Sequence, residues 1–542
     1  MSSQHSKQHS NSANNSAENN KKNRHIKLPR IPFLATVFIL FWGFCSIIYG
    51  EVFYICEQFT YFAFDSALME DVTCVKNGSL QVLGRFFLLF FKYPWLGGLV
   101  FSFILTAITY FLIHIFNFRK YWRLLTVLPG FIWTCCIVFV GLNVFYQYDQ
   151  ATFFYLPVIF LLFLLIISII IRVFFKRRYC GIFSDIKTDD ICPNYVNNIV
   201  IVISFSLLTF WCNTYRRDAL DSSKMMHLCQ NQEWHEMIET ALNAPSVSRT
   251  VAAYYAIALS MTDQLNERLF DIFFQYPKCD LINRTGEPDW GISLYEAEID
   301  FHCGLINTAY HNSMEHVVMA GKSIFKLKYM FLVSLLNQET ELADKYLEII
   351  GKMPFEQDFV DKYKPMMYNE DLVNNDYYLT TISNLRPIQD AYEEQFPSPT
   401  FIGYHQMLNR GHTRKVLSNC IATNLYTKDM DGFMRLAQMI SDEPNVPASF
   451  EDAIVVQAMR TKDYSFLQQI PEYAVSTTKQ MLNEASMMKG KSTKEKGAAL
   501  KNKYTGKYSF YYFYQNVSDN DYTNIDNPLN KVSRSSNGSG VN

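Results

Sequence analysis

Every long apolar run in this chain lies before residue 214: five of them fill the first 213 residues, and the 329 that follow contain none. A hydrocarbon layer takes about 20 apolar residues of helix to cross. Four stretches, 31–50, 95–116, 124–145 and 153–171, reach that length, and a fifth, 198–213, is shorter around a strongly apolar centre. The first is too long for a removable signal peptide and lacks a small-residue cleavage pattern, so it reads as an uncleaved anchor. The expected fold class is all-α. A five-helix transmembrane bundle over 31–213 is followed by a soluble helical-repeat domain over 214–515.

Orientation follows from Lys and Arg in the short loops. Basic residues collect before the first run (Lys21, Lys22, Arg24, Lys27, Arg30), after the second (Arg119, Lys120, Arg123) and after the fourth (Arg172, Lys176, Arg177, Arg178). The intervening loops lack such an excess. This pattern places the N-terminus in the cytoplasm and, with five crossings, residues 214–515 outside it; Arg216 and Arg217 argue the other way. The polar tails 1–30 and 516–542 are too poor in apolar residues to form a core. Residues 84–93 (GRFFLLFFKY) are too short to cross and suit a helix lying on the outer surface, with Pro94 at the corner before the next span.

The charged and reactive residues exclude more than they assign. A net charge of −2 gives no reason to expect a nucleic-acid partner. Twelve cysteines are ordinary usage, and no C-x-x-C occurs; Cys56 and Cys74 share one loop that an oxidising compartment would allow to pair. His302, Cys303, His311 and His316 are not spaced as ligands on one helix face, so no metal and no cofactor is expected. There is no G-x-S-x-G elbow, no phosphate-cradling glycine loop and no H-E-x-x-H, hence no catalytic residue to name. Glu51 and Glu57 read as a solvated outer rim. Asp289, Glu296, Glu298 and Asp300 read as a solvated helix face.

Beyond residue 214 the pattern is helical and recurrent. Five times an apolar helix meets a short polar turn, and a second helix then ends at a proline: Pro245, Pro277, Pro354, Pro444 and Pro471. Aligned on Trp234, Leu265, Leu342, Met430 and Tyr464, two intervals are near 34 residues, and each of the two long ones has room for a divergent copy. Apolar stripes such as Trp234, Ile238 and Leu242 cannot be covered by one hairpin, so neighbours must stack, as in tetratricopeptide-type packing. Met488–Lys507 is lysine-rich and leads into Tyr508–Tyr514, with six aromatics in seven positions. That run suits either a capping helix or a contact with the outer leaflet or an anionic glycan.

The five spans, EWHEMIE (233–239), YYAIALSMTDQLNERLF (254–270), P-x-S-F-E-D-A (447–453) and YSFYYFY (508–514) resemble an uncharacterised family of multi-pass inner-membrane proteins of Bacteroidales-type bacteria. The resemblance implies a bacterial envelope and carries no activity. The expected function is a membrane-anchored scaffold binding another envelope protein or peptide, with the lipid bilayer as its other partner. Trp234, Tyr254, Tyr255, Tyr511 and Tyr512 are the candidate binding residues, the first three expected on an exposed groove and the last two in the terminal aromatic run. The alternative is a component of an envelope enzyme or export machine acting on a lipid-linked polymer, drawing on Glu51, Glu57, Asp65, Glu70 or Asp71.

Overall fold

The computed structural model describes residues 32–74, 77–118, 120–140, 151–174, 191–245, 247–274, 292–387, 413–440 and 447–515. Both tails, Arg119, the basic residues 176–178, Pro277, Asp289 and Pro444 lie outside them. Among the described residues the regular structure is helical, apart from one isolated bridge between Val247 and Phe274.

Four helices are long and apolar enough to cross a membrane: Pro94–Phe116, Lys120–Phe139, Ala151–Val173 and Tyr195–Tyr215. A fifth results if the bent pair Phe33–Ile48 and Gly50–Gln58 counts as one. Helix α1 (Phe33–Gly43) runs into a π-turn (Phe44–Ile48) and breaks at Tyr49, and α2 (Gly50–Gln58) leaves at 62°. Helix α3 (Gly78–Leu88), with a 3-10 turn over Leu89–Lys92, packs along α6 (Ala151–Phe174). Helix α4 (Pro94–Phe116) opens with proline at its first position, where the missing N–H costs nothing. It packs closely on the π-turn after α1, since a Cβ on Gly98 would stand 2.0 Å from Ser46 Oγ. Aromatic rings fill the centre: Phe101 stacks on Trp133 of α5 (Leu128–Val140) at 5.5 Å and meets Phe154 edge-on at 5.1 Å. Helix α7 (Ile191–Tyr215), 25 residues long, contains the short fifth run.

The remaining helices form hairpins. Helices α8 (Arg217–Gln230) and α9 (Trp234–Leu242) are joined by a left-handed Gln232. The same device recurs at Asp263 between α10 (Arg249–Met261) and α11 (Leu265–Arg268), and at Gly304 between α12 (Ile292–His302) and α13 (Ile306–Ala320). It returns at Gln338 between α14 (Ile324–Leu336) and α15 (Thr340–Gly351). In all four the next amide reaches back five residues, as in Glu233 N–H to Leu228 O (2.9 Å) and Leu305 N–H to Asp300 O (3.0 Å). These are Schellman turns, which satisfy carbonyls that a helix end leaves open. Beyond α16 (Gln357–Tyr363), α17 (Glu370–Asn375) and α18 (Tyr377–Leu385), Lys428 makes the same turn between α19 (Arg414–Tyr426) and α20 (Met430–Ala437).

Two sequence expectations are corrected here. The third copy opens at Thr340 rather than Leu342, because the turn over Asn337–Glu339 fixes the helix start. The stripes are also turned by one residue: Met237, Ile238 and Ala241 are buried in α9, whereas Leu242 is exposed. The Gly304 turn falls inside the first long interval.

The chain ends in α21 (Ala448–Thr461), α22 (Glu472–Met487), α23 (Thr493–Tyr504) and α24 (Tyr508–Tyr514). Lys462 repeats the left-handed turn after α21.

The two halves share one core. Tyr54, Ile55, Phe59, Tyr61 and Phe62 pack among residues of α8–α15. Ile324 N–H donates to Thr60 O at 3.0 Å, and Tyr61 OH donates to Ile349 O at 2.8 Å. Lys92 and Lys328 each place Nζ 2.6 Å from a different oxygen of Glu356, which is 2 % exposed. Although burial works against it, these two ammonium groups hold the Glu356 carboxyl below its ordinary range. Burial, together with nearby Lys92, lowers Lys328 to about 8.

Glu356→Gln removes the carboxylate that pairs with both ammonium groups, and should cost about 3–5 kcal/mol in thermal unfolding in detergent. Lys328→Met should cost less, since Lys92 still neutralises the carboxylate. Gly304 sits at φ +83 and a Cβ there would meet the Leu385 backbone at 2.6 Å. Gly304→Ala should therefore lower stability by about 2 kcal/mol or more, whereas Gln338→Gly, at φ 61, should be neutral or stabilising in the same measurement.

Candidate functional site

Helix α10 turns a face of small residues, Ala252, Ala253, Ala256 and Ser260, toward α19, which answers with Asn419, Ala422 and Thr423. Such faces normally let helices touch. Here hydrogen bonds at one end set their separation. Ser260 Oγ donates to Asn419 Oδ1 at 3.3 Å, and Asn266 Nδ2 donates to Ser418 Oγ at 2.7 Å. Between the helices remains a cavity of about 160 Å³, lined further by Leu265, Leu269, Phe274 and Tyr426, with Ile299 and His302 of α12 and Cys303 just after it as its floor. It matches a benzene-sized group and is too small for a drug-sized ligand.

Beneath the floor lies a buried polar network. Glu298 is fully buried and accepts from the hydroxyls of Tyr254 and Tyr329, the latter at 2.5 Å. Burial raises its carboxyl to about 7, against the lowering effect of the two phenols. His302 Nδ1 lies 2.7 Å from Glu298 O, and its Nε2 lies 3.2 Å from Tyr378 OH and 3.8 Å from Cys229 Sγ. Burial lowers the imidazole to about 4 and pushes the Cys229 thiol well up. Cysteine and histidine thus meet as neutral groups. That is the reverse of the thiolate–imidazolium pair nucleophilic catalysis needs.

Of the acidic run, Glu298 and Asp300 are not on a solvated face: both are buried, because α12 packs between α10 and α13–α14. The rim is corrected likewise. Glu57 is fully buried and accepts from Gln58 Nε2 at 2.7 Å, since α2 enters the shared core instead of ending at the surface. Glu51 stands 2.7 Å from His227 Nδ1, and Asp71 pairs with Lys322 at 2.5 Å.

The candidate binding residues also part from expectation. Tyr254, Tyr255 and Tyr511 are fully buried rather than exposed. Tyr254 serves Glu298, Tyr255 donates to Arg268 O at 2.6 Å, and Tyr511 donates to Tyr426 O. Trp234 is half-buried, stacked on Tyr378 at 6.1 Å, and Tyr512 is half-buried with Lys428 over its ring at 5.7 Å. The run Tyr508–Tyr514 closes the end of the hairpin stack, with Phe510 and Tyr508 buried, so its tyrosines do not form an interfacial row. Cys56 and Cys74 are free thiols, one buried and one exposed. His302 and His316 are buried and His311 is exposed; the described residues hold no group of three or more His, Cys, Asp or Glu that could ligate a metal.

Glu298 and His302 titrate with opposite consequences. Glu298 binds its proton more tightly folded than unfolded, so its contribution is present below the ordinary glutamate range and falls as pH rises to about 7. His302 resists protonation when folded, so its contribution falls as pH drops from the ordinary histidine range to about 4. Relative to wild type, Glu298→Gln should make stability rise more steeply with pH between about 5 and 7, and His302→Gln should make it rise less steeply between about 4 and the ordinary histidine range. Chemical denaturation at several pH values reads both slopes, with effects on the order of 1–3 kcal/mol.

No curated protein and no solved structure matches the chain. A family model does, over residues 24–183 and 130–515, which together cover the spans, the shared core, the cavity and the hairpins. The chain belongs to that family, described as a family of unknown function (DUF6057).

Proposed function

We propose that this chain is a membrane-anchored helical-repeat scaffold of a bacterial envelope, and that its domain holds an apolar side chain of another envelope protein or peptide. The α10–α19 cavity carries the reading. Its volume of about 160 Å³ suits one aromatic or branched side chain, and the Asn419 side-chain amide on its lining offers a polar group to a peptide backbone. The recurring Schellman turns support a tetratricopeptide-like repeat origin for the hairpins. The basic loops support a cytoplasmic N-terminus and an extracytoplasmic domain.

The alternative, an enzyme or export component acting on a lipid-linked polymer, has less behind it. Glu51, Glu57 and Asp71 are engaged by His227, Gln58 and Lys322, and Asp65 accepts from the Ala67 amide at 3.0 Å.

Ala256→Phe fills the cavity from within. It should leave the thermal midpoint equal or higher and abolish cross-linking of a partner to a photoreactive residue at position 423. Undiminished cross-linking in the folded variant refutes the proposal. Protease added to intact spheroplasts should cut residues 214–515; protection until lysis would place the domain in the cytoplasm.

A further inference from the structure

Among the non-glycine residues with positive φ, Phe355 is the one apolar side chain in the described structure. The others are Asn, Gln, Asp or Lys, which suit exposed turns. Phe355 takes φ +68 in the loop between α15 and α16 and is 40 % exposed. A left-handed phenylalanine costs on the order of 1–2 kcal/mol, and a glycine or asparagine there would relieve it. Neither burial nor turn chemistry explains the choice.

Its surroundings do. The Phe355 ring meets Tyr93 edge-on at 5.8 Å, and Tyr93 is the residue before α4. From there an outward stripe descends one face of that span: Trp95 is 59 % exposed, Leu99 44 % and Phe103 66 %, at successive helical turns. A stripe so apolar on a membrane-crossing helix faces lipid, and aromatic rings at its end belong to the headgroup level. Glu356, the next residue after Phe355, is tied to Lys92, the residue before Tyr93. That ion pair fixes the loop's height on the span.

We propose that Phe355 rests in the headgroup region of the bilayer beside Tyr93 and Trp95, so that the lipid surface is a docking partner of the helical domain. The occupant is lipid because the patch continues the lipid-facing stripe without a break. The strained backbone presents the ring to that surface, which turning it into the loop would not do.

The test uses the full chain in nanodiscs. Phe355→p-acetylphenylalanine, a near-isosteric change, is coupled to a nitroxide, with the same label at exposed Asp463 as the water reference. Power saturation should show molecular oxygen favoured over a nickel chelate several-fold more at 355 than at 463. Equal ratios at the two positions would overturn the proposal, as would exclusion of both reagents at 355, which would mean a protein or second copy covers the patch. Hydroxyl-radical footprinting of the unlabelled wild type gives an independent reading. Phe355 should be oxidised several-fold more slowly in nanodiscs than the normalised rate for Tyr473, which is 52 % exposed; a comparable rate refutes the contact.

Discussion

One carboxylate, Glu356, holds two lysines from opposite halves of the molecule: Lys92 from the lip of a span and Lys328 from the middle of an apolar helix. A buried charge of this kind is weak evidence for stability by itself, since the desolvation of three ions offsets much of their attraction. Its value lies in geometry. Only one docking of the helical domain on the bundle leaves all three satisfied, and apolar packing alone tolerates sliding. The hydrogen bonds of Thr60 and Tyr61, and the pairs Glu51–His227 and Asp71–Lys322, repeat the same placement along the seam.

The seam explains which parts of the fold were legible in the sequence. Apolar length and proline position are local signals, so the long apolar helices and the helical hairpins could be read directly. The left-handed turn residues could not. Gln232, Asp263, Gln338 and Lys428 look like ordinary surface residues, and only Gly304 advertises its backbone.

The candidate site was less legible because burial is set by partners far away in the chain. Tyr254 has the aromatic character of a groove residue, and it serves Glu298, 44 positions later. Glu57 and Glu298 each lie in a mixed segment, a pattern that reads as solvated. Two clues were usable: Lys326 and Lys328 interrupt IFKLKYMFLVSLL, where a charge inside an apolar helix demands a partner, and the alanines of α10 crowd one face. Neither names the partner residue.

The break at Tyr49 carries a consequence for how the molecule is assembled. Residues 54–62 leave the ribosome early, yet the surfaces that cover them, on α8, α14 and α15, are made more than 150 residues later. Until then the newly inserted bundle holds up an uncovered ledge of Tyr54, Phe59, Tyr61 and Phe62. A fragment cut away after the final span has the mirror-image wound, with Phe325 and Ile324 stripped of Phe59 and Thr60. Neither piece is a finished object, and anchor and domain are two names for one folding unit.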